Sequence, residues 1–525
     1  MKKILFLIIS CLAICSESVI AQQNIQLLGS YQFSGQSLSG CWHYTDSLGR
    51  EYGIIGAQQG IAFLDITQPA NPQFLFQLPG NNSIWHEVKV SGHYAYAVSE
   101  GVDTAGIKNG VQIMDLRYLP DSVPYKFWQG DGFIQGQLQK AHSITVDSNY
   151  IYINGHNITA LGNGVLICSI ANPWNPAFVG AVTNFYCHDS YVRGNRLYTS
   201  DIFNGQFSIY DIVAPSNPIL LATQSTPNHF NHNTWLNDAG TVIFTTDEQN
   251  GSPVASYDIS DVNNITLLDQ FYNQNLPNKE VHNVRVINDY LINPSYGSQL
   301  TIADVSRPGN IIEIGNYPTG SYLCWDADPY LSSGAILATD MYANTVFLFQ
   351  PDYKRACYLE GTVIDSVTHL PLNGVSVTLS GAISSKSSNI TGNYTTGIVN
   401  PGIYDATYSK NGYRSKTISN ISLQSGVLTI QDLELAPSNI GVNEIEMSDF
   451  LSFSPNPATG YLSVNVKQRE PIVINLMNLT GQTLFRTELS EGLHQLNLTA
   501  IPAGMYTIRL NGAGNVKSEK LLLMR

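Results

Sequence analysis

Five histidines recur at one position of a repeating pattern, and their spacing leaves the chain very few folds. Each opens a short strand-like run that ends in a turn: His86 in WHEVKVSG, His142 in AHSITVDS, His188 in CHDSYVRG, His232 in NHNTWLND and His282 in VHNVRVIN. Trp42 (CWHYTD) and Trp325 (CWDADP) fit the same slot at the two ends of the series. Positions 42, 86, 142, 188, 232, 282 and 325 are separated by 44, 56, 46, 44, 50 and 43 residues. A strand-only repeat of about 40–50 residues signals a β-propeller with one blade per repeat.

A second motif runs in step with the first. The apolar run Phe63-Leu64-Asp65-Ile66, with its turn through Asn71-Pro72, returns at Ser169 to Pro176, Asp211 to Pro218, Asp258 to Asn264 and Asp304 to Asn310. Pro and Asn preset the turn and stop the strand, and another apolar strand follows each time. Each repeat therefore reads as four strands, A (carrying the histidine) to D. The last repeat lacks D, and the segment from Asn24 to Phe33 has the look of an isolated D strand. It closes the seventh blade and covers an edge that would otherwise be open.

Beyond Arg355 the pattern changes to alternating strands with Gly/Asn turns, which indicates small β-sandwiches. The expected fold class is all-β, a seven-bladed propeller followed by two small β-sandwich domains. Residues 1–21 read as a signal peptide, with Lys2 and Lys3 before the apolar run Ile4 to Ile14. The propeller then covers 22–356, the first sandwich 357–437, a linker 438–449 and the last sandwich 450–525. No other segment has the ~20 apolar residues of a transmembrane helix. A net charge of −14 argues against nucleic acid as a partner. Five cysteines remain after the signal (41, 168, 187, 324 and 357), too few and too odd in number for a disulfide scaffold. Cys41 and Cys324 sit at equivalent places in the first and last repeats; buried free thiols are expected over a bridge.

Counting about 14 residues on from each strand A residue crosses the hairpin and returns to the same mouth of the ring. That count leads from His86 to Glu100, from His188 to Asp201, from His232 to Asp247 and Glu248, from His282 to Tyr296 and from Trp325 to Asp340. The result is an inner ring of imidazoles backed by carboxylates. Imidazole suits a divalent transition metal (Zn, Mn, Fe or Ni), with carboxylates as supporting groups. Metal–nitrogen bonds of about 2.0–2.1 Å allow only neighbouring blades to share one ion, for example His142, His188 and His232. Two bland readings stand beside this: histidines that merely latch neighbouring blades, and a metal-free pocket. Trp42 and Trp325, with Glu100, Asp201, Glu248 and Asp340, are the expected ligand contacts.

Three stretches resemble known families. Phe453-Ser-Pro-Asn-Pro-Ala458, Asn478 to Gln482 and Pro502 to Leu510 are similar to the C-terminal sorting domain of type IX secretion. That resemblance implies the secretion machinery as a partner and a final place outside the cell or on its surface. Gly361-Thr-Val, Pro371 to Val375 and Gly412-Tyr413 resemble a carboxypeptidase regulatory-like domain, a spacer or adhesion unit. The runs ending in Asp65, Asp211, Asp258 and Asp304 resemble the LVIVD-repeat, choice-of-anchor B class, to which no settled activity attaches. The reading is an exported propeller that binds a glycan or extracellular polymer at its histidine mouth, with or without a metal. The alternatives are a metal-dependent polysaccharide lyase or hydrolase, and a structural adhesin.

Overall fold

The computed structural model describes residues 22–438 and 451–525, apart from 104, 274–278, 298, 321–322, 383–384, 468 and 513–514. The expected signal peptide and all but Ser438 of the expected linker lie outside the described residues. The chain divides into two units: Met1–Lys410 with Ser415–Leu435, and Asn411–Arg414 with Ala436–Arg525.

In the first unit, seven antiparallel sheets follow one another, six of them with their strands in chain order and the seventh completed by the N-terminal strand. Their A strands begin at Leu38, His86, Ser143, Asp189, Asn231, Glu280 and Cys324, for blades 1 to 7. The D strand of blade 7 is Ile25–Gln32, which pairs antiparallel with Thr345–Pro351 from Ile25↔Pro351 to Gln32↔Thr345. The N-terminal segment thus closes the ring, as its sequence predicts. Strands B and C are buried almost throughout, as in IYIN and VLICS of blade 3, because neighbouring blades cover both of their faces. The D strands are half-exposed; Ile219–Ser225 of blade 4 is an example.

Two further sheets follow within 357–435, built around Cys357–Asp365 and Gly402–Ser409. The first of these docks on blade 6. Arg307 pairs with Glu360 at 2.9 Å, Asn310 Nδ2 donates to Thr396 O at 3.0 Å, and Tyr358 and Val399 join the core of blades 6 and 7. In the second unit, a three-stranded and a four-stranded sheet enclose a core of Leu462, Val464, Ile474, Ile508 and Leu521. All five cysteines of the described residues are buried and free. No helix among the described residues is long and apolar enough to cross a membrane.

Candidate functional site

The A strands bring four imidazoles edge to edge at one mouth of the channel. Ring centroids lie 3.9 Å apart for His142–His188, 4.2 Å for His188–His232 and 4.1 Å for His232–His282, and Trp325 follows at 4.8 Å. In blades 5 and 7 the ring is placed by an extra residue in strand A. In blade 5, Asn231 pairs with Asp247 and Asn233 with Thr246; in blade 7, Cys324 pairs with Asp340 and Asp326 with Thr339. His232 and Trp325 are the bulged residues, and a bulge re-aims its side chain.

The backbone also fixes how each ring is protonated. Nδ1 of His188, His232 and His282 lies 3.1, 3.2 and 2.6 Å from the carbonyl oxygens of His232, His282 and Trp325 in the next blade. A carbonyl only accepts, so Nδ1 carries the proton and Nε2 keeps its lone pair. Burial pushes all three imidazoles well below their usual pKa, which keeps them neutral. The blade latch and the metal ligand are therefore one arrangement: the nitrogen that holds the next blade leaves the other free to coordinate.

Only some of the expected carboxylates reach this mouth. Glu100, from blade 2, accepts a 2.8 Å hydrogen bond from His142 Nδ1 across the blade boundary, and this bond holds its pKa below the usual range. Glu248 lies 4.0 Å from Nε2 of both His232 and His282, and burial pushes it up to about 7. Tyr296, from blade 6, stacks on His282 at 4.2 Å beside Glu248. Asp201 and Asp340 turn away. Asp201 accepts from Thr199, Ser208 and Gln206 within its own blade. Asp340 accepts from Thr319 and from the N–H groups of Tyr342 and Ala343. Asp201 is thus spent on side chains of its own sheet, and Asp340 on the turn that follows it, a common use of Asp at strand ends.

Among the described residues, the ligand atoms that all approach within 4.8 Å of one another belong to His232, Glu248 and His282. The sequence offered histidines from any neighbouring blades, with His142, His188 and His232 as one example. The cavity here has a volume of about 230 Å³ and is also lined by Trp85, Glu100, His142 and His188. A tetrahedral ion with bonds of about 2.0–2.1 Å sets its ligands roughly 3.4 Å apart. The 4.0 Å gaps therefore call for a contraction of about half an ångström, within the reach of the half-buried Glu248 side chain.

Two expected members of the ring lie elsewhere. His86 pairs in regular register with Ser99, without a bulge, and its N–H donates to Ser39 Oγ of blade 1. Its ring is buried behind the mouth, where desolvation pushes its pKa down to about 4. Trp42 is not the counterpart of Trp325. In blade 1 Leu38 pairs with Ala57 and Cys41 with Ile55, so the bulge falls at Ser39-Gly40. Thr339 Oγ1 holds Ser39 O just as Thr246 Oγ1 holds His282 O. Ser39 thus takes the place of His282 and Trp325, Cys41 matches Ala327 and not Cys324, and Trp42 lies three residues down the strand. Blade 1 offers no ring because Ser39 holds that position, and the backbone beside it lies close to blade 2: a Cβ on Gly40 would come 2.7 Å from His86 O.

Below the rings the channel is polar. Ser143 donates to Asp189 at 3.1 Å, Asn233 donates to the other oxygen of Asp189, and Asn283 donates to Asp326 at 3.0 Å. Arg285, whose side chain is 2% exposed, pairs with Asp326 at 3.1 Å. Trp325 Nε1 donates to Glu87 at 3.4 Å, and Lys89 pairs with the same carboxylate at 3.4 Å. A buried network of this kind holds the seven A strands in register at the price of desolvating its charges.

Comparison with known proteins agrees with the order of domains. Residues 139–184, 187–226 and 280–319 match the LVIVD repeat. Residues 358–436 match the carboxypeptidase regulatory-like domain, and 452–524 the secretion system C-terminal sorting domain. The sorting domain marks the chain for export through type IX secretion, to the cell surface or the medium. An endo-acting ulvan lyase of Formosa agariphila is 30% identical over 88 residues, which is 17% of this chain and 17% of that protein. Among solved structures, the WD40 β-propeller domain of Doa1 is 12% identical with a TM-score of 0.45, covering 62% of this chain and 97% of that one. The Cps50 (Swd1) propeller domain of Myceliophteria thermophila is 9% identical with a TM-score of 0.46, covering 62% and 99%. The ring of seven blades rests on the strand pairing itself.

Proposed function

We propose that this exported propeller holds a divalent transition metal on His232, His282 and Glu248 and uses it to bind a glycan or other extracellular polymer at the histidine mouth. The observation that carries the reading is the pair of Nε2 lone pairs, each set by an Nδ1–carbonyl bond and each 4.0 Å from the same carboxylate. Two neutral imidazoles and one carboxylate suit Zn, Mn, Fe or Ni, and leave further coordination positions for a ligand oxygen. Trp85, 41% exposed on the rim, offers a flat apolar surface to a sugar ring.

The test is elemental analysis of the untagged full chain, comparing wild type with His232→Ala/His282→Ala. Near-stoichiometric metal that disappears in the double variant supports the reading. Absence of metal after incubation with Zn, Mn, Ni and Fe makes the ring a purely architectural latch.

A second reading is metal-dependent cleavage of a polysaccharide by a lyase or hydrolase. It draws on Tyr296, whose phenol stands beside Glu248 and against His282 and is a candidate proton-transfer group at the same cavity. The printed name of the Formosa relative points the same way, but over only 17% of the chain. Turnover of ulvan or another acidic polysaccharide, lost in Tyr296→Phe with metal retained, separates cleavage from binding.

A further inference from the structure

The A strands end at a second mouth with a different chemistry. Three residues beyond each mouth position stand Trp42, Lys89, Tyr191, Trp235 and Arg285, about 10 Å along the strand from the imidazoles at ~3.3 Å per residue. They line a cavity of about 340 Å³, within the range of small-ligand sites. Its aromatic wall is continuous. Ring centroids are 6.0 Å apart for Trp42–Tyr330, 6.1 Å for Tyr330–Trp235 and 4.3 Å for Trp235–Tyr191.

Charged groups stand among the rings, each tethered at one end. Lys89 Nζ lies 4.7 Å over the Trp42 ring and 3.4 Å from Glu87. The Arg285 guanidinium lies 4.7 Å over Trp235 and pairs with Asp326. Its Nε–H is buried and has no hydrogen-bond partner among the described residues. Because Glu87 and Asp326 already balance the two cations, the cavity is not a trap for a simple anion. Flat apolar faces beside paired donors and acceptors suit a ring whose C–H face is apolar and whose edge carries hydroxyls.

We propose that this far mouth binds a pyranose unit of an extracellular polysaccharide, independently of any metal at the histidine mouth. The competing account, in which Trp42 and Trp235 serve only to pack one blade on the next, predicts loss of stability without any ligand.

The experiment titrates the full chain with cellohexaose (neutral) and tetragalacturonate (acidic), followed by tryptophan fluorescence and calorimetry. At least one probe is expected to bind. Trp42→Ala should weaken it about tenfold, the scale of a stacking contact, while Trp42→Phe keeps most of the affinity. The titrations are repeated after EDTA treatment, which removes any metal-borne sugar site at the histidine mouth and should leave binding at the far mouth intact. If Trp42→Ala fails to fold by circular dichroism, Tyr191→Ala probes the same wall. Binding of neither probe, or equal binding by wild type and the wall variants, overturns the proposal. Binding that disappears on EDTA treatment and is untouched by the wall variants assigns the sugar to the histidine mouth instead. The metal assay stands or falls separately.

Discussion

Protonation of His86 should contribute a separable part of the propeller's response to acid. In the fold its imidazole is pushed down to about 4 by burial, while in the unfolded chain it titrates near its ordinary 6.5. A base with a depressed native pKa contributes stability above the unfolded value, and that stability is lost as pH falls from 6.5 toward 4. Linkage between those two values gives a loss of about 2 kcal/mol from this one residue between pH ~7 and pH ~5. The ring, from Ile25 to Pro351, spans about 330 residues, and unfolding entropy of roughly 2.1 cal/mol/K per residue turns that loss into a fall in Tm of about 3 °C. The comparison is between wild type and His86→Leu, which stays uncharged, by calorimetry at both pH values. The other buried histidines titrate alike in both proteins, so the difference in slope isolates His86. Parallel Tm-versus-pH lines for the two proteins would refute the account, because His86 would then carry no buried-imidazole penalty.

Two further outcomes are expected. Arg285→Met leaves Asp326 charged and buried, and should cost about 3–5 kcal/mol in chemical denaturation; Arg285→Met/Asp326→Leu should recover most of it. Removing residues 22–32 uncovers the Thr345–Pro351 edge of blade 7 and the core around Ile25, and high-mass species absent from the full chain should appear in light scattering.

Much of the architecture was legible because it depends on periodicity. Blade number followed from the spacing of the histidines, and ring closure from the likeness of the N-terminal run to a D strand. The mouth was legible only where the backbone keeps the period. His142, His188, His232 and His282 meet, but His86 lies in regular register and Trp42 three residues past the bulge. A one-residue bulge leaves no mark in composition, yet it decides which way a side chain points. The Ser39-Gly40 pair is the nearest thing to a signal, since a glycine inside an A strand marks a close backbone approach. Counting 14 residues onward found Glu100, Glu248 and Tyr296 for the same reason that it over-reached to Asp201 and Asp340. All lie at the end of a B strand, but the short aspartates are held by neighbours close by, Asp201 by side chains of its own sheet and Asp340 by the turn after it, whereas a glutamate reaches outward. The far mouth was missed because the residues three places on share no single residue type.

The N-terminal closure also sets an order of assembly. A chain emerging from its N-terminus produces Ile25–Gln32 first, yet the strand's partner at Thr345–Pro351 appears only about 310 residues later. Within the ring, this strand therefore cannot be paired until the last ring strand has been made. Until then the nascent ring stays open, with blade 7 incomplete, and its contact of longest sequence separation acts as a clasp. Every residue of the sorting domain at 452–524 is made after that clasp has become possible.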